Sequence, residues 1–187
     1  MNDLERTELF NDVYELLDIY KEFSPLREDG TIIYESIKPC ILEMINYIIK
    51  DSGESASLID WLDQTDFWTA PASTKFHGNF KCGLSLHTLI VIKQSLVFAK
   101  PLLENFFASP NSNLYTITAK DIFISALCHD FCKTGFYGVE YRNTKDVTGN
   151  WIKQPFYKTK FWNQFVYLFF YPKQDNQFYK DHNIFQK

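Results

Sequence analysis

A histidine and an aspartate stand side by side, as His129-Asp130, at the end of an apolar stretch that begins at Ile124. A neutral imidazole and a carboxylate are both good ligands for divalent ions of the first transition row. Neighbouring residues on a helix point about 100° apart, so both side chains can reach one ion only if it lies near the helix end. This arrangement calls for a third ligand from another helix.

His87 is the natural third ligand because it precedes His129 by 42 residues. A helix-loop-helix of that length can return antiparallel and bring the two imidazoles together. The spacing therefore indicates a metal centre formed by His87, His129 and Asp130. Two other interpretations stay open at this point: a histidine on an apolar helix is commonly a core or surface residue, and the aspartate beside it a helix-end charge.

The sequence around these residues resembles the HD superfamily of metal-dependent phosphohydrolases, in particular small bacterial and phage members. The likeness lies in Gly83-Leu84-Ser85-Leu86-His87-Thr88-Leu89 and in Ala126-Leu127-Cys128-His129-Asp130-Phe131-Cys132-Lys133. It extends to the segment from Thr69 to Gly78 and to Tyr141-Arg142-Asn143, and it covers roughly residues 58 to 157.

The resemblance implies roles for five side chains. His87, His129 and Asp130 would hold a divalent ion (Mn, Fe, Mg, Zn or Ni), which activates a water and polarises a phosphoryl oxygen. Asp130 would be catalytic and would bridge two ions in a binuclear site. Lys133 would neutralise the substrate phosphate, or else complement the C-terminal end of the helix dipole. His77 would bind substrate or donate a proton, or else be an ordinary loop histidine.

Three functions remain open. The first is hydrolysis of a nucleotide-like phosphate ester by a phosphomonoesterase or phosphodiesterase. The second is a degenerate HD module that binds a nucleotide or a protein partner, since the family pattern ends with a further Asp on a later helix. The later aspartates here lie in a turn or an aromatic-rich tail: Asp146, Asp175 and Asp181. The third is a structural zinc site of His87, Cys82, Cys128 and Cys132.

The elements that must position these residues are mostly helical. Apolar residues recur at intervals of three and four, as on one face of an amphipathic helix. Five helices are predicted: over residues 4–20, from Ile37 to Ile48, from Ser57 to Gln64, from Gly83 through Leu96, and from Thr118 toward Lys133 and Gly135. The first two carry no obvious chemistry and are interpreted as a cover or as a homodimer contact.

After Gly135 the apolar period becomes alternating on both sides of the turn Thr148-Gly149-Asn150, which predicts a β-hairpin. The predicted fold is mostly α, an HD-domain-like helical bundle with a small β-hairpin. Residues 1–52 are predicted as an N-terminal helical extension, 53–157 as the HD-like core and 158–187 as an atypical aromatic-rich tail. The tail includes a predicted strand from Phe165 to Tyr171.

The composition limits the partners and the location. The 187 residues fit one domain, and the formal net charge of −4 provides no general field for nucleic acid or an anionic membrane. The expected partner is a small-molecule phosphate ester or nucleotide. The start lacks a basic stretch followed by an apolar run, and no apolar run approaches the roughly 20 residues of a membrane span. A cytoplasmic protein with reduced cysteines is expected.

Overall fold

The computed structural model describes residues 1–110 and 112–160, which form a mostly helical protein with one small antiparallel sheet. The predicted fold class, mostly α with a small β-hairpin, is confirmed. The elements are α1 (Asp3–Glu22), α2 (Tyr34–Ile48), α3 (Ser52–Gln64), α4 (Gly83–Phe107), α5 (Ala119–Cys128), β1 (Tyr137–Lys145) and β2 (Trp151–Thr159), with short 3-10 turns at Ser112–Leu114 and Phe131–Lys133.

Capping side chains set where two of these helices begin. Thr118, the predicted start of the fifth helix, forms a capping box with Asp121, in which each side chain satisfies the backbone N–H of the other residue. Helix α3 begins at Ser52, earlier than the predicted Ser57, because the Asp51 side chain accepts a hydrogen bond from the Glu54 N–H.

Helix α5 ends at Cys128 rather than continuing toward Gly135, so the predicted end was wrong. His129 is the last residue with helical backbone angles, and Asp130, at φ −118° and ψ 15°, has left the helix. The chain then forms the 3-10 turn Phe131–Lys133. The His-Asp pair consequently lies at a change of backbone direction, where neighbouring side chains can converge on one point.

One hydrophobic core connects all five helices. Helix α4 packs against α1, α2 and α5, and α3 packs against α2. Side chains with no solvent exposure in this core include Leu16 of α1, Ile41 of α2, Leu62 of α3, Leu89 of α4 and Phe123 of α5. This core contains residues on both sides of the predicted boundary near residue 52. The division into an N-terminal extension, an HD-like core and a tail stays a prediction. The predicted strand Phe165–Tyr171 lies outside the described residues.

Among the described residues, helix α4 alone is long and apolar enough, by length and composition, to cross a membrane. Of its most apolar 18-residue window, 39% is buried inside the protein. Its buried side chains include Leu89, Ile92 and Leu96, which belong to the core. The sequence analysis concerned continuous apolar runs, and in α4 the apolar residues are interrupted by Lys93, Gln94 and Lys100.

The predicted β-hairpin is confirmed. Strands β1 and β2 pair in antiparallel register from Tyr137 opposite Thr159 to Lys145 opposite Trp151. At the turn, Asp146 accepts hydrogen bonds from the backbone N–H groups of Thr148 and Asn150. Asp146 therefore stabilises the turn, as its sequence position predicts.

Candidate metal centre

The structure brings His87, His129 and Asp130 together. The Nε2 atoms of the two histidines lie 3.3 Å apart, and each lies 3.4 Å from Oδ2 of Asp130. The ring centroids of the histidines are 5.2 Å apart. One ligand atom from α4 and two from the residues directly after α5 thus form a nearly equilateral triangle. Within the described residues, this group is the one whose ligand atoms lie close enough together to hold a metal ion.

The size of the triangle fits a transition-metal ion. Ligand atoms that lie 2.1 Å from an ion at tetrahedral angles are about 3.4 Å from one another. A cation slightly above the plane of the three atoms can therefore bond to all of them at ordinary lengths. Two imidazoles and one carboxylate also match the composition of catalytic zinc centres, in which a water takes the remaining position.

A backbone carbonyl orients the His129 ring. Nδ1 of His129 lies 2.6 Å from the carbonyl oxygen of Ala126, one turn earlier in α5. A carbonyl oxygen can only accept, so Nδ1 carries the proton and Nε2 of the neutral ring presents its lone pair toward His87 and Asp130. Such a second hydrogen bond is the usual companion of a metal-bound histidine.

Burial keeps the His87 ring neutral. Desolvation lowers the pKa of His87 below its ordinary value of 6.5, and the nearby Asp130 carboxylate partly opposes this by raising it. The neighbouring His77, His129 and Lys133 lower the pKa further. A lowered pKa means that the neutral, ligating form of His87 predominates at neutral pH.

Lys133 contacts the same carboxylate. Its Nζ lies 2.7 Å from Oδ2 of Asp130, the oxygen that faces both histidines. Both side chains are partly buried, which strengthens the interaction relative to a fully exposed ion pair. Lys133 therefore supplies a cation at the edge of the candidate site, on the 3-10 turn that follows α5.

His77 contacts the His87 ring as well. Their ring centroids are 4.6 Å apart at an interplanar angle of 40°. His77 is exposed and belongs to the loop between α3 and α4, so it is accessible to a ligand. The structure thus places all five predicted site residues in one region, with His77 and Lys133 on its border.

Two glycines hold the loop that carries His77. The Gly78 carbonyl accepts from the Ala72 N–H, and Ser73 Oγ donates to the carbonyl of His77. Gly78 has a positive φ of 64°, which favours glycine. A Cβ on Gly83 would overlap with the Gly78 carbonyl oxygen, so the loop and the start of α4 meet at a point where only glycine fits.

Sequence reasoning missed two residues that support the site. Asp66 accepts a hydrogen bond of 2.6 Å from the Gly135 N–H and so ties the turn after Lys133 to the end of α3. Tyr137 is close enough to the site for its charges to act on the hydroxyl: burial raises the pKa of Tyr137, Lys133 lowers it and Asp130 raises it. Asp66 and Gly135 are 69 residues apart, and no local pattern links them.

The cysteine alternative is not formed. Cys82, Cys128 and Cys132 are free thiols, and no group of potential ligands within metal-binding distance in the described residues includes a cysteine. The further aspartate implied by the resemblance has no counterpart there either. Asp146 serves the hairpin turn, while Asp175 and Asp181 lie outside the described residues.

Comparisons of the chain with known proteins found no match among protein-family models, curated proteins or solved structures. The likeness to the HD superfamily consequently rests on the residues around His87 and His129. What the chain does has to be argued from the chemistry of the site itself.

Proposed function

We propose that this protein is a metal-dependent phosphohydrolase with His87, His129 and Asp130 as metal ligands. The observation that carries the proposal is the triangle of Nε2, Nε2 and Oδ2 atoms with sides of 3.3 to 3.4 Å. Two further features support it: the carbonyl of Ala126 leaves Nε2 of His129 free to ligate, and burial favours the neutral form of His87.

Each bordering residue has a role in this proposal. The bound ion would lower the pKa of a water and polarise a phosphoryl oxygen. Lys133, already paired with Asp130, neutralises charge on the phosphate as it approaches. His77, exposed beside His87, hydrogen-bonds the substrate or donates a proton to the leaving oxygen.

The substrate class follows from this chemistry. A local cation and a metal attract phosphate in a chain of net charge −4, which otherwise repels it. The HD-like motifs suggest a nucleotide-like ester, cleaved as a monoester or a diester. In this proposal the phosphate of the ester is the part of the substrate that contacts Lys133 and the metal held by the three ligands.

The experiment combines elemental analysis of the purified protein with hydrolysis of p-nitrophenyl phosphate and bis(p-nitrophenyl) phosphate. We expect at least one equivalent of a transition metal and a turnover that a chelator abolishes. Asp130→Asn removes the ligand charge and should lower both metal content and activity by at least tenfold. Asp146→Asn is the matched control, because this aspartate lies in the hairpin turn and should change neither.

A folded wild-type protein that takes up no metal from a transition-metal buffer would contradict the proposal. Equal losses in Asp130→Asn and Asp146→Asn would also contradict it, because they would point to a general effect of removing a carboxylate.

A second candidate is a module that binds a nucleotide or a protein partner without turnover. It is favoured by the count of ligands, since the described residues provide three and no further carboxylate joins them. A protein that binds a nucleotide equally well with and without metal, and hydrolyses none, would support this candidate.

A further inference from the structure

A groove begins at the metal ligand His87 and runs along helix α4 to Leu103. Its cavity has a volume of about 480 Å³, within the range of small-molecule sites. The 16 residues between its ends correspond to roughly 24 Å along the helix axis. Ile122 of α5 forms part of the wall, and the other lining residues belong to α4.

The lining of this groove is apolar beyond His87. It includes Ile90, Val91, Phe98 and Leu102, and its polar members are Gln94 and Ser95. No lining residue is charged. A nucleobase and a ribose would lose hydrogen bonds to water in such a groove, whereas a hydrocarbon chain would gain from burial.

Two apolar side chains of the groove are unusually exposed to solvent. Phe98 is 56% exposed and Leu102 is 65% exposed, one turn apart on α4. Apolar side chains that face solvent in a row commonly mark a binding site. Here the row leads directly to an imidazole of the candidate metal centre, so a ligand in the groove would have one end at that centre.

We infer that the substrate is a phosphate monoester with a long alkyl chain, whose phosphate lies at His87, His129 and Asp130 and whose chain lies along α4. This inference rests on the proposed metal-dependent hydrolysis of a phosphate ester. For the group attached to the phosphate, it favours an alkyl chain over the nucleoside that the HD-like motifs suggest. Hydrolysis transfers the phosphoryl group to water and breaks the phosphorus–oxygen bond, and the leaving oxygen takes up a proton, so the products are inorganic phosphate and a long-chain alcohol.

The test measures release of phosphate from n-alkyl phosphates of two to ten carbons by the full-length, zinc-loaded protein. We expect kcat/KM to rise about fourfold per added methylene until the groove is filled, the ratio expected for burial of one CH2 group. Adenosine monophosphate should be a poorer substrate than decyl phosphate. Phe98→Ser should flatten the chain-length dependence, whereas Val97→Ser, a neighbour that is 44% exposed and outside the groove, should keep it.

Binding of n-alkyl phosphonates, which are not hydrolysed, separates the two proposals. Hydrolysis of phosphate esters with no dependence on chain length overturns the inference and leaves the proposed function standing. Absence of hydrolysis, with phosphonate binding that tightens with chain length and a negative heat-capacity change, overturns the proposed function and supports the groove. Length-independent binding, with dissociation of a dimer by Phe98→Ser, assigns the groove to a second copy and overturns the inference.

Discussion

At the scale of single residues, the candidate centre depends on three potential ligand atoms that lie close together: Nε2 of His87, Nε2 of His129 and Oδ2 of Asp130. Electron-rich atoms at such distances usually share a proton or a cation. The two Nε2 atoms lie 3.3 Å apart and each lies 3.4 Å from the Asp130 oxygen, so where neither Nε2 carries a proton the three lone pairs repel one another. A proton on one ring or a divalent cation among the three relieves the repulsion. Lys133 already supplies one positive charge on the Asp130 side.

The pKa of His87 gives a direct test of this environment. In the metal-free protein, NMR titration of the His87 ring should give a midpoint below 6.5, because burial disfavours the imidazolium. The unfolded chain then binds more protons between that midpoint and pH 6.5. The free energy of unfolding should therefore fall as the pH drops through this window and be fully recovered above it.

Asp130→Asn tests the cause of the shift. The Asp130 carboxylate raises the pKa of His87 against the effect of burial, so its neutralisation should move the midpoint lower still. A midpoint above 6.5 in the wild-type protein, or an upward move in the variant, would contradict the assignment of burial as the main cause.

Lys133 should affect metal binding and hydrolysis in opposite directions. Lys133→Met removes a positive charge 2.7 Å from the Asp130 oxygen that we propose as a metal ligand, so zinc affinity should rise, by roughly tenfold for a partly buried site. Hydrolysis of p-nitrophenyl phosphate should fall through a higher KM, because the phosphate loses a cation. Competition with a chelating dye measures the first effect and steady-state kinetics the second.

Lys133→Arg is the matched control, since it keeps the charge and should retain most of the wild-type behaviour. A loss of zinc affinity in Lys133→Met would instead mean that Lys133 holds Asp130 in place for the metal. That result would remove its role toward the phosphate.

At the scale of the elements, the site depends on where helices end. On a continuous helix the side chains of His129 and Asp130 would point about 100° apart. Because α5 ends at Cys128, Asp130 has non-helical backbone angles and this restriction does not apply. The loop before α4 places His77 beside His87, and the hydrogen bond from the Ala72 N–H to the Gly78 carbonyl closes this loop. Helix ends and one compact loop thus supply four of the five candidate side chains, and only His87 lies within a helix.

Gly83→Ala should disturb this loop. The new Cβ would overlap with the Gly78 carbonyl, which the backbone can relieve only by moving, at a cost of about 1 to 3 kcal/mol in the free energy of unfolding. Urea denaturation measures the loss, and His77 should lose its contact with His87. Gly138→Ala is the matched control, because its nearest neighbour is the flexible Lys160 side chain at 3.4 Å.

An unchanged free energy of unfolding in Gly83→Ala would show that the loop adapts without strain. The close approach of Gly78 and Gly83 would then have no role in positioning His77.

At the scale of the whole molecule, the candidate centre connects helices that also share the core. His87 belongs to α4, which packs against α1, α2 and α5, while His129 and Asp130 follow α5. An ion bound by all three side chains would link α4 to the chain segment after α5. A ligand that binds only the folded state raises its stability, so the metal should act as a cross-link for the bundle.

Zinc should therefore raise the melting temperature. At a thousandfold excess over its dissociation constant, a ligand of the folded state stabilises by about 4 kcal/mol. For a chain of this size that is a shift of about 8 to 16 °C, measurable by circular dichroism and reversible by a chelator. His129→Ala should lose the shift, and Asp146→Asn should retain it. A shift of equal size in both variants would place the zinc elsewhere.

The elements that depend on local pattern were largely predictable. The amphipathic period predicted the five helices, including the start of α5 at Thr118, and the alternation and the Thr148-Gly149-Asn150 turn predicted the hairpin. Each of these signals involves residues within a few positions of one another, and short-range hydrogen bonds and the burial of one face decide them. The same local signals misjudged the start of α3 and the end of α5.

The sequence by itself determined which groups are available: two imidazoles, a carboxylate beside one of them, and a lysine one turn later. Only the tertiary structure decided that His87 meets His129 and Asp130, that Lys133 pairs with Asp130, that His77 contacts His87, and that an apolar groove leads to the site. The physical reason is that these contacts join residues from different elements. Their distances follow from how whole helices pack, which no local period encodes.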